Sequence, residues 1–130
     1  MRTLILKTEH YVSFFDYCDS LRQLLLRSSY FVNEQQQNLD ILFAGVAHLQ
    51  TTTSFDGLEI YEGNENDKKN IAQSENLDLH LKAGRKLYVL ISKGWEYYVV
   101  AGYVKVSVNE LPNSQTSIAM KKDWYNPSSR

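Results

Sequence analysis

The stretch from Lys86 to Val108 constrains the fold of this chain most strongly. It reads KLYVLISKGWEYYVVAGYVKVSV, so that two runs of aromatic and β-branched residues flank a Lys93-Gly94 turn signal. Such runs suit the pleated, half-buried surface of a sheet, and a glycine in a short connection is typical of a hairpin. The stretch therefore predicts a long β-hairpin at the centre of a sheet, and it carries no catalytic motif.

Length and composition predict one globular domain. The chain has 130 residues, of which 43% are hydrophobic and 22% are charged. Division into two domains would leave each half too small to bury an adequate core, and these fractions argue against disorder. We expect a single α+β domain over residues 1–122, followed by a C-terminal tail over residues 123–130.

The cysteine content and the N-terminal sequence predict a cytoplasmic protein. Cys18 is the single cysteine, which excludes an intrachain disulfide. The N-terminal sequence MRTLILKTEHY lacks the hydrophobic region and cleavage site of an export signal. No apolar run approaches the ~20 residues that a membrane span requires. We therefore expect no membrane association.

Charge is divided unevenly along the chain. Residues 1–76 carry six basic and eleven acidic side chains, whereas residues 77–130 carry eight basic and four acidic ones. The second half could present an electropositive face, or the two halves could attract each other within the fold. The sequence leaves both interpretations open.

The apolar residues of the N-terminal region recur with the spacing of an amphipathic helix. Apart from the adjacent Phe14 and Phe15, steps of three and four residues separate Tyr11, Phe14, Phe15, Cys18, Leu21 and Leu25. This period predicts a helix that is capped by Thr8 or Ser13 and ends near Ser28-Ser29. The polar residues 33–38 then form a linker between this helix and the sheet.

The remaining segments predict further strands and one loop. We expect a long strand over Leu39 to Thr53 with a bulge or a sharp bend at Gly45, and a hairpin at Asp56-Gly57 that leads into Leu58 to Tyr61. Residues 63–76 have almost no apolar content and predict an exposed, mobile loop. Alternating leucines predict a strand over Leu77 to Leu81.

These elements together define the expected architecture. Gly102 predicts a bulge where the strand changes register, and Thr116 to Met120 predicts an edge strand. One helical period ahead of several strands predicts the α+β class. We expect an N-terminal amphipathic helix packed on a bent antiparallel sheet, or on a small partly open β-barrel, of about five to seven strands.

No constellation of residues predicts catalysis, cofactor binding or metal binding. The histidines, His10, His48 and His80, are dispersed, and the one local pair is Asp78-x-His80 on a predicted strand, where the two side chains would share a face. Cys18 falls on the predicted apolar stripe and indicates a structural role. The glycines are scattered turn residues rather than a phosphate-binding loop.

Surface aromatic residues next to cations provide the remaining functional signal. They are interleaved with Arg85, Lys86, Lys93, Lys105, Lys121 and Lys122. Such pairs can anchor a protein interface or stack on nucleobases, although they can also simply cover the outer face of a twisted sheet. The residues that we predict to bind a partner are Trp95, Tyr97, Tyr98, Tyr103, Lys105, Trp124 and Tyr125.

Residues 81–108 resemble a known family pattern. Their sequence LKAGRKLYVLISKGWEYYVVAGYVKVSV is similar to the glycine turn, apolar strand, short loop and valine-glycine strand of PUA-like barrels, which include the EVE and ASCH groups. Residues 4–9, LILKTE, resemble the opening strand of the EVE group. This resemblance implies a pocket for RNA or a modified base. The chain carries Arg85 where the family has an acidic residue.

Three functions follow as hypotheses. The first is a non-enzymatic, cytoplasmic protein-binding module of the inhibitor, immunity or adaptor type, which acts through the aromatic sheet face and requires no cofactor. The second is a nucleic-acid-binding PUA-like barrel. The third is a small-ligand-binding barrel or an enzyme that uses His48, His80 and Asp78 in a closed pocket. Homo-oligomerisation is compatible with each of them.

Overall fold

The fold is one antiparallel sheet with two short helices at its surface. The computed structural model describes residues 1–71, 77–118, 120 and 123–127, and in this part of the chain the spatial order of the strands is β4-β7-β6-β5-β1-β2-β3-β8. The elements are β1 Thr3–Cys18, β2 Gln23–Val32, β3 Gln35–Ala44, β4 His48–Gln50, β5 Ser54–Glu62, α1 Glu65–Ile71, α2 Leu77–Lys82, β6 Lys86–Ser92, β7 Trp95–Ala101 and β8 Tyr103–Asn109.

The sheet closes on itself because β7 and β8 are two halves of one continuous strand. Ala101, at the end of β7, pairs with Lys86 of β6. Only Gly102 separates it from Tyr103, the first residue of β8, which pairs with Ala44 of β3. The strand therefore pairs with β6 over its first half and with β3, on its other side, over its second half. The result is a ring formed by β1, β2, β3, the β8–β7 strand, β6 and β5.

Two glycines form the corner at which this strand changes partners. The Gly102 amide donates a hydrogen bond of 2.8 Å to the Ala44 carbonyl, and Gly45 beside it has a φ of 66°. A Cβ atom on Gly102 would lie 3.3 Å from the Ala44 oxygen, and one on Gly45 would lie 3.4 Å from the Gly102 nitrogen. The predicted single strand over Leu39 to Thr53 is wrong, because β3 ends at Ala44 before Gly45 and β4 begins at His48. At Gly102 the strand changes its pairing partner rather than forming the predicted bulge.

The interior of the ring is a packed apolar core. Its fully buried members come from every strand of the ring and include Leu24, Ile41, Phe43, Phe55, Ile60, Leu90 and Val99. A smaller apolar cluster of Ile71, Leu77, Leu87 and Val100 lies where α1 and α2 cover the outer face. In the part of the chain that the structure describes, no helix has the length and apolar character needed to cross a membrane.

The predicted N-terminal helix is wrong, and with it the α+β class. Residues of the predicted helix belong to β1, a turn and β2. The pairing register of β1 shifts between Leu4 and Leu6, between Thr8 and Tyr11, and between Phe14 and Asp16. At the shift between Phe14 and Asp16, a three-residue step replaces the usual two-residue step, so that Phe14 and Tyr17 both contact the core. These interrupted steps imitate the three- and four-residue period of a helix.

Other predicted boundaries also change. The polar residues 33–38 are not a linker, because Asn33 and Glu34 form a tight turn and β3 begins at Gln35. Asp56-Gly57 is not a hairpin but an irregular position inside β5, where Gly57 has a φ of 82°. The Lys93-Gly94 hairpin between β6 and β7 is confirmed. With eight strands among the described residues, the predicted count of five to seven is also too low.

The region from residue 63 onward contains helices rather than a loop and a strand. Helix α1 occupies part of the predicted loop 63–76, of which residues 72–76 lie outside the described residues. The predicted strand over Leu77 to Leu81 is wrong, because these residues belong to helix α2. The alternating leucines therefore do not share a face: Leu77 is buried, whereas Leu79 is 68% exposed. The predicted edge strand over Thr116 to Met120 is not found in residues 116–118 and 120, and residue 119 lies outside the description.

A buried ion pair fastens the segment after β8 to the outer face of the ring. Arg27 of β2 and Asp40 of β3 are cross-strand neighbours, and their two hydrogen bonds measure 2.7 and 2.8 Å. Asn109 and Ser117 donate to the same Asp40 carboxylate, and Arg27 also donates to the Gln115 carbonyl. Both charges of the pair thus have hydrogen-bond partners, which is the condition under which a buried ion pair is tolerated.

The two tight turns yield a prediction about stability. Glu34 adopts a φ of 67°, in the left-handed region that glycine adopts without cost, whereas Gly94 occupies the corresponding position of the second turn with a φ of 81°. We expect Glu34→Gly to raise the free energy of unfolding by about 1 kcal/mol and Gly94→Ala to lower it by about as much. Urea denaturation measures both changes. Effects of the same sign would contradict this account.

A second prediction concerns the buried pair. Asp40→Ala leaves the Arg27 guanidinium buried without its counter-ion, so the free energy of unfolding should fall by about 3 to 5 kcal/mol. The double variant Arg27→Met/Asp40→Leu removes both charges and should recover most of that loss. Denaturant titration of wild type, the single variants and the double variant gives the free energies of unfolding for a double-mutant cycle. A double variant no more stable than Asp40→Ala would show that the charge is not the cause.

Candidate binding surface at the β8 edge

The structure separates the seven predicted binding residues into two groups. Three of them lie on β7 and two on β8, and the other two lie on the C-terminal segment of residues 123–127, called here the tail segment. The β7 group is Trp95, Tyr97 and Tyr98. The second group is Tyr103, Lys105, Trp124 and Tyr125.

The β7 residues do not form one aromatic face. Trp95 is 70% exposed at the end of the β6–β7 hairpin. Tyr97 packs edge-to-face against Phe55, with ring centroids 5.6 Å apart, and contacts the core. Tyr98 lies on the other side of the strand, packs with the small cluster beneath the helices and donates a hydrogen bond to Glu96. Trp95 is therefore the member of this group most available to a partner.

The second group converges on β8. Tyr103 is 46% exposed, and the Lys105 ammonium lies 5.0 Å from the centre of its ring. Tyr125 packs against the core and forms an isolated bridge with Val106, in which the backbone amide of each residue donates to the carbonyl of the other, at 2.8 and 2.9 Å. The indole nitrogen of Trp124 donates to the Met120 carbonyl.

One edge of β8 is fully paired and the other is not. Toward β3, all seven residues of β8 take part in cross-strand pairs. On the opposite side, pairing with β6 ends at Ala101, before β8 begins. Among the described residues, the pairing on this side of β8 consists of the single bridge between Val106 and Tyr125. We call this second side the β8 edge.

A cleft opens beside the β8 edge, where β1, β5 and β6 begin or end. This mouth cleft has a volume of about 180 Å³. Its walls include Leu4, which is 51% exposed, and Tyr103. Further lining residues are Glu62, Lys86, Tyr88 and Asn126. The cleft therefore combines apolar walls with a few polar groups, as ligand-binding clefts do.

Tyr88 provides a neutral hydroxyl group to the mouth cleft. Its side chain is buried in the ring, and this burial, together with the nearby Glu62 charge, raises the pKa of Tyr88 to about 12. Glu62 is paired with the Lys86 ammonium at 3.5 Å. At neutral pH the phenol therefore keeps its proton. It is suited to hydrogen bonding with a bound molecule rather than to abstracting a proton.

The sequence did not identify Leu4, Glu62 and Tyr88 as candidates. Tyr88 belongs to the apolar run that predicts a buried strand. The hydroxyl group within this run was the one sequence feature that could have marked Tyr88 as a candidate binding residue. The structure adds that Thr3, Glu62 and Tyr88 occupy one cross-strand row. This row brings together residues that are up to 85 positions apart in sequence.

The histidines do not assemble into a metal site. Within the described ranges, no group of three histidine, cysteine, aspartate or glutamate side chains could hold a metal ion. Asp78 and His80 were predicted to share the face of a strand. They lie instead on α2, where residues two apart point in different directions. Asp78 pairs with Lys82 at 3.0 Å, and His80 lies 3.4 Å from the Arg85 guanidinium.

A separate charged cluster joins the N-terminal region to α1 and β7. Arg2 forms hydrogen bonds with both carboxylate oxygens of Asp67 and with both of Glu96. Asp67 and Asn64 also cap α1 reciprocally. The hydrogen bonds from Arg2 lower the pKa of Asp67 and of Glu96. This cluster has a structural role, because its members are satisfied by one another.

Comparison with known proteins gives no family assignment. No protein-family model, no curated protein and no solved structure matches this chain. The resemblance of residues 81–108 to PUA-like barrels therefore remains a prediction.

The Arg2 cluster predicts a pH dependence of stability. The ordinary pKa values are 3.8 for Asp67 and 4.5 for Glu96, and both are lowered in the fold. At a pH above these ordinary values the two carboxylates stabilise the folded state, and this contribution is lost as the pH falls through the lowered pKa values. We expect wild-type protein to be more stable than Arg2→Met at neutral pH, with a difference that shrinks on acidification. Urea titrations between pH 7 and pH 3 measure it.

Lys82→Met is the matched control for this prediction. It also removes a cation from an ion pair, but the pair of Lys82 with Asp78 is largely exposed and therefore contributes little. Its stability relative to wild type should change little with pH. If the Arg2→Met difference were equally insensitive to pH, the cluster would not be the cause of the lowered pKa values.

Proposed function

We propose that the protein is a non-enzymatic protein-binding module that engages its partner through the β8 edge and the mouth cleft. The observation that carries this proposal is the position of exposed Tyr103, which stands beside Lys105 on a strand edge and also lines the cleft. Exposed aromatic side chains at the border of a cleft are typical anchors of protein interfaces. Inhibitor, immunity and adaptor roles all use such a surface.

The chemistry of the cleft supports binding rather than catalysis. Tyr88 is held neutral, and the Glu62 carboxylate is paired with Lys86. The Tyr88 phenol, whose pKa is raised, is not poised near neutral pH as a general base would be. The cleft offers apolar contact from Leu4 and Tyr103 together with hydrogen-bonding groups, which is the combination that holds a side chain or a peptide segment in place.

The environment of the cations favours a protein partner over a nucleic acid. Lys86 and Lys93 face Glu62 and Asp56, and Arg85 donates to the Gly45 carbonyl. Phosphate binding requires cations that are available to the backbone of the nucleic acid. Lys121 and Lys122, which the sequence also suggested, lie outside the described residues.

A cytoplasmic location forms part of this proposal. It is supported by Cys18, the single cysteine of the chain, which leaves the fold without an intrachain disulfide. The ring is instead stabilised by its apolar core and by the buried Arg27–Asp40 pair. A fold of this kind is compatible with a reducing compartment.

The proposal predicts that a partner is lost when Tyr103 is removed. We expect Tyr103→Ala to reduce capture of a specific protein by at least tenfold, because an anchor at the centre of an interface contributes more than 1.4 kcal/mol. Immobilised wild-type and variant proteins would be compared by quantitative mass spectrometry of what each retains. Circular dichroism confirms that each variant is folded.

Phe31→Ala is the matched control. Phe31 is 75% exposed near the tip of the β2–β3 hairpin. Its cross-strand partner Gln36 and the cross-strand partner of Tyr103, Ala44, lie roughly 25 Å apart along β3. It should retain the protein that Tyr103→Ala loses. Loss with Trp95→Ala alone would place the interface at the β6–β7 hairpin instead. Salt-sensitive retention of nucleic acid that depends on Lys105 would favour the PUA-like alternative.

A further inference from the structure

The β8 edge has more pairing capacity than its occupant uses. Val106 directs its amide and carbonyl groups toward Tyr125, so Val104 and Val108, two residues away on either side, direct theirs to the same edge. Among the described residues, no strand pairs with Val104 or Val108 on this side. The edge can therefore accept a longer strand than the one that lies on it.

The tail segment carries a strand breaker on each side of Tyr125. In the register set by the bridge, Pro127 lies opposite Val104 and Asp123 lies opposite Val108. Proline has no amide hydrogen to donate, and Asp123 has a φ of 70°, which turns the backbone out of an extended path. These two residues explain why the described part of the tail segment forms one bridge with β8 and no longer ladder.

We propose that the β8 edge is the docking site for an extended peptide of the partner, and that the tail segment is an intramolecular occupant which that peptide displaces. This inference rests on the protein-binding function proposed above. It specifies the partner as an extended segment with an aromatic side chain in the place of Tyr125, because that side chain already packs against the core there. Strand addition to an open edge is an established mode of peptide recognition.

Displacement is favoured because a regular strand makes contacts that the tail segment cannot make. A peptide without proline or a left-handed residue can pair with Val104, Val106 and Val108 together. Its side chains then alternate between the core side, where Tyr125 lies, and the outer side, where Lys105 is exposed. The adjoining mouth cleft offers space for a further side chain next to Tyr103. Backbone pairing would supply affinity, and these side-chain positions would supply specificity.

A synthetic peptide can test this inference on the full chain. The probe carries the sequence of residues 121–129 with valine in place of both the aspartate and the proline, and its binding is followed by fluorescence anisotropy. We expect it to bind Tyr125→Ala at least tenfold more tightly than wild type, because that variant loosens the occupant. Pro127→Val should bind the probe more weakly than wild type, because its tail segment can pair with Val104.

Amide hydrogen exchange locates the binding site. In the free protein the Val106 amide should be protected, whereas the Val104 and Val108 amides should exchange quickly. Bound probe should protect all three, and a probe with alanine in place of its tyrosine should not. Unchanged exchange at Val104 and Val108 would overturn the inference, as would equal probe affinity for wild type, Tyr125→Ala and Pro127→Val.

The outcomes also separate this inference from the proposed function. If capture of a protein depends on Tyr103 while no probe protects the β8 edge, the binding function stands and strand addition is excluded. If protection of Val104 and Val108 instead rises with protein concentration in the absence of the probe, the occupant is the tail of a second copy, and the proposed partner peptide is wrong. Sedimentation of the same samples measures that association.

Discussion

The strand that runs through Gly102 holds this fold together. Up to Ala101 it pairs with β6, and from Tyr103 it pairs with β3, so a single residue connects the two halves of the strand that closes the ring. The change of partners requires close approach of two backbones, which Gly45 and Gly102 permit because neither carries a Cβ atom. Closure removes most of the exposed strand edges that an open sheet would present.

Closure at this corner also creates the candidate site. Once the strand has left β6, one side of β8 has no ladder partner in the described part of the ring. The tail segment lies on this side, and the mouth cleft opens next to it between β1, β6 and β8. The core fills the interior, which leaves the surface openings of the ring as the places where a partner can bind.

The sequence predicts those parts of the fold in which the pattern of side chains is regular. The hairpin around Lys93-Gly94 was predicted correctly because its strands are continuous. The helix over the β1 region was predicted wrongly because bulges break the two-residue alternation, and sequence alone does not distinguish a bulged strand from a helical stripe. Tyr103 and Tyr125 were both predicted as binding residues, but their proximity depends on a bridge between segments 19 positions apart.

The buried Arg27–Asp40 pair anchors the part of the chain that leads to the tail segment. Through Gln115 and Ser117, the pair fixes the chain a few residues before the tail segment. A short tether of this kind gives the tail segment an effective concentration on the order of millimolar near the edge. This proximity supports occupancy of the β8 edge by the tail segment, with which the peptide proposed above would have to compete. If the β8 edge is the docking site proposed above, the ion pair would influence access to it although it lies on another strand pair.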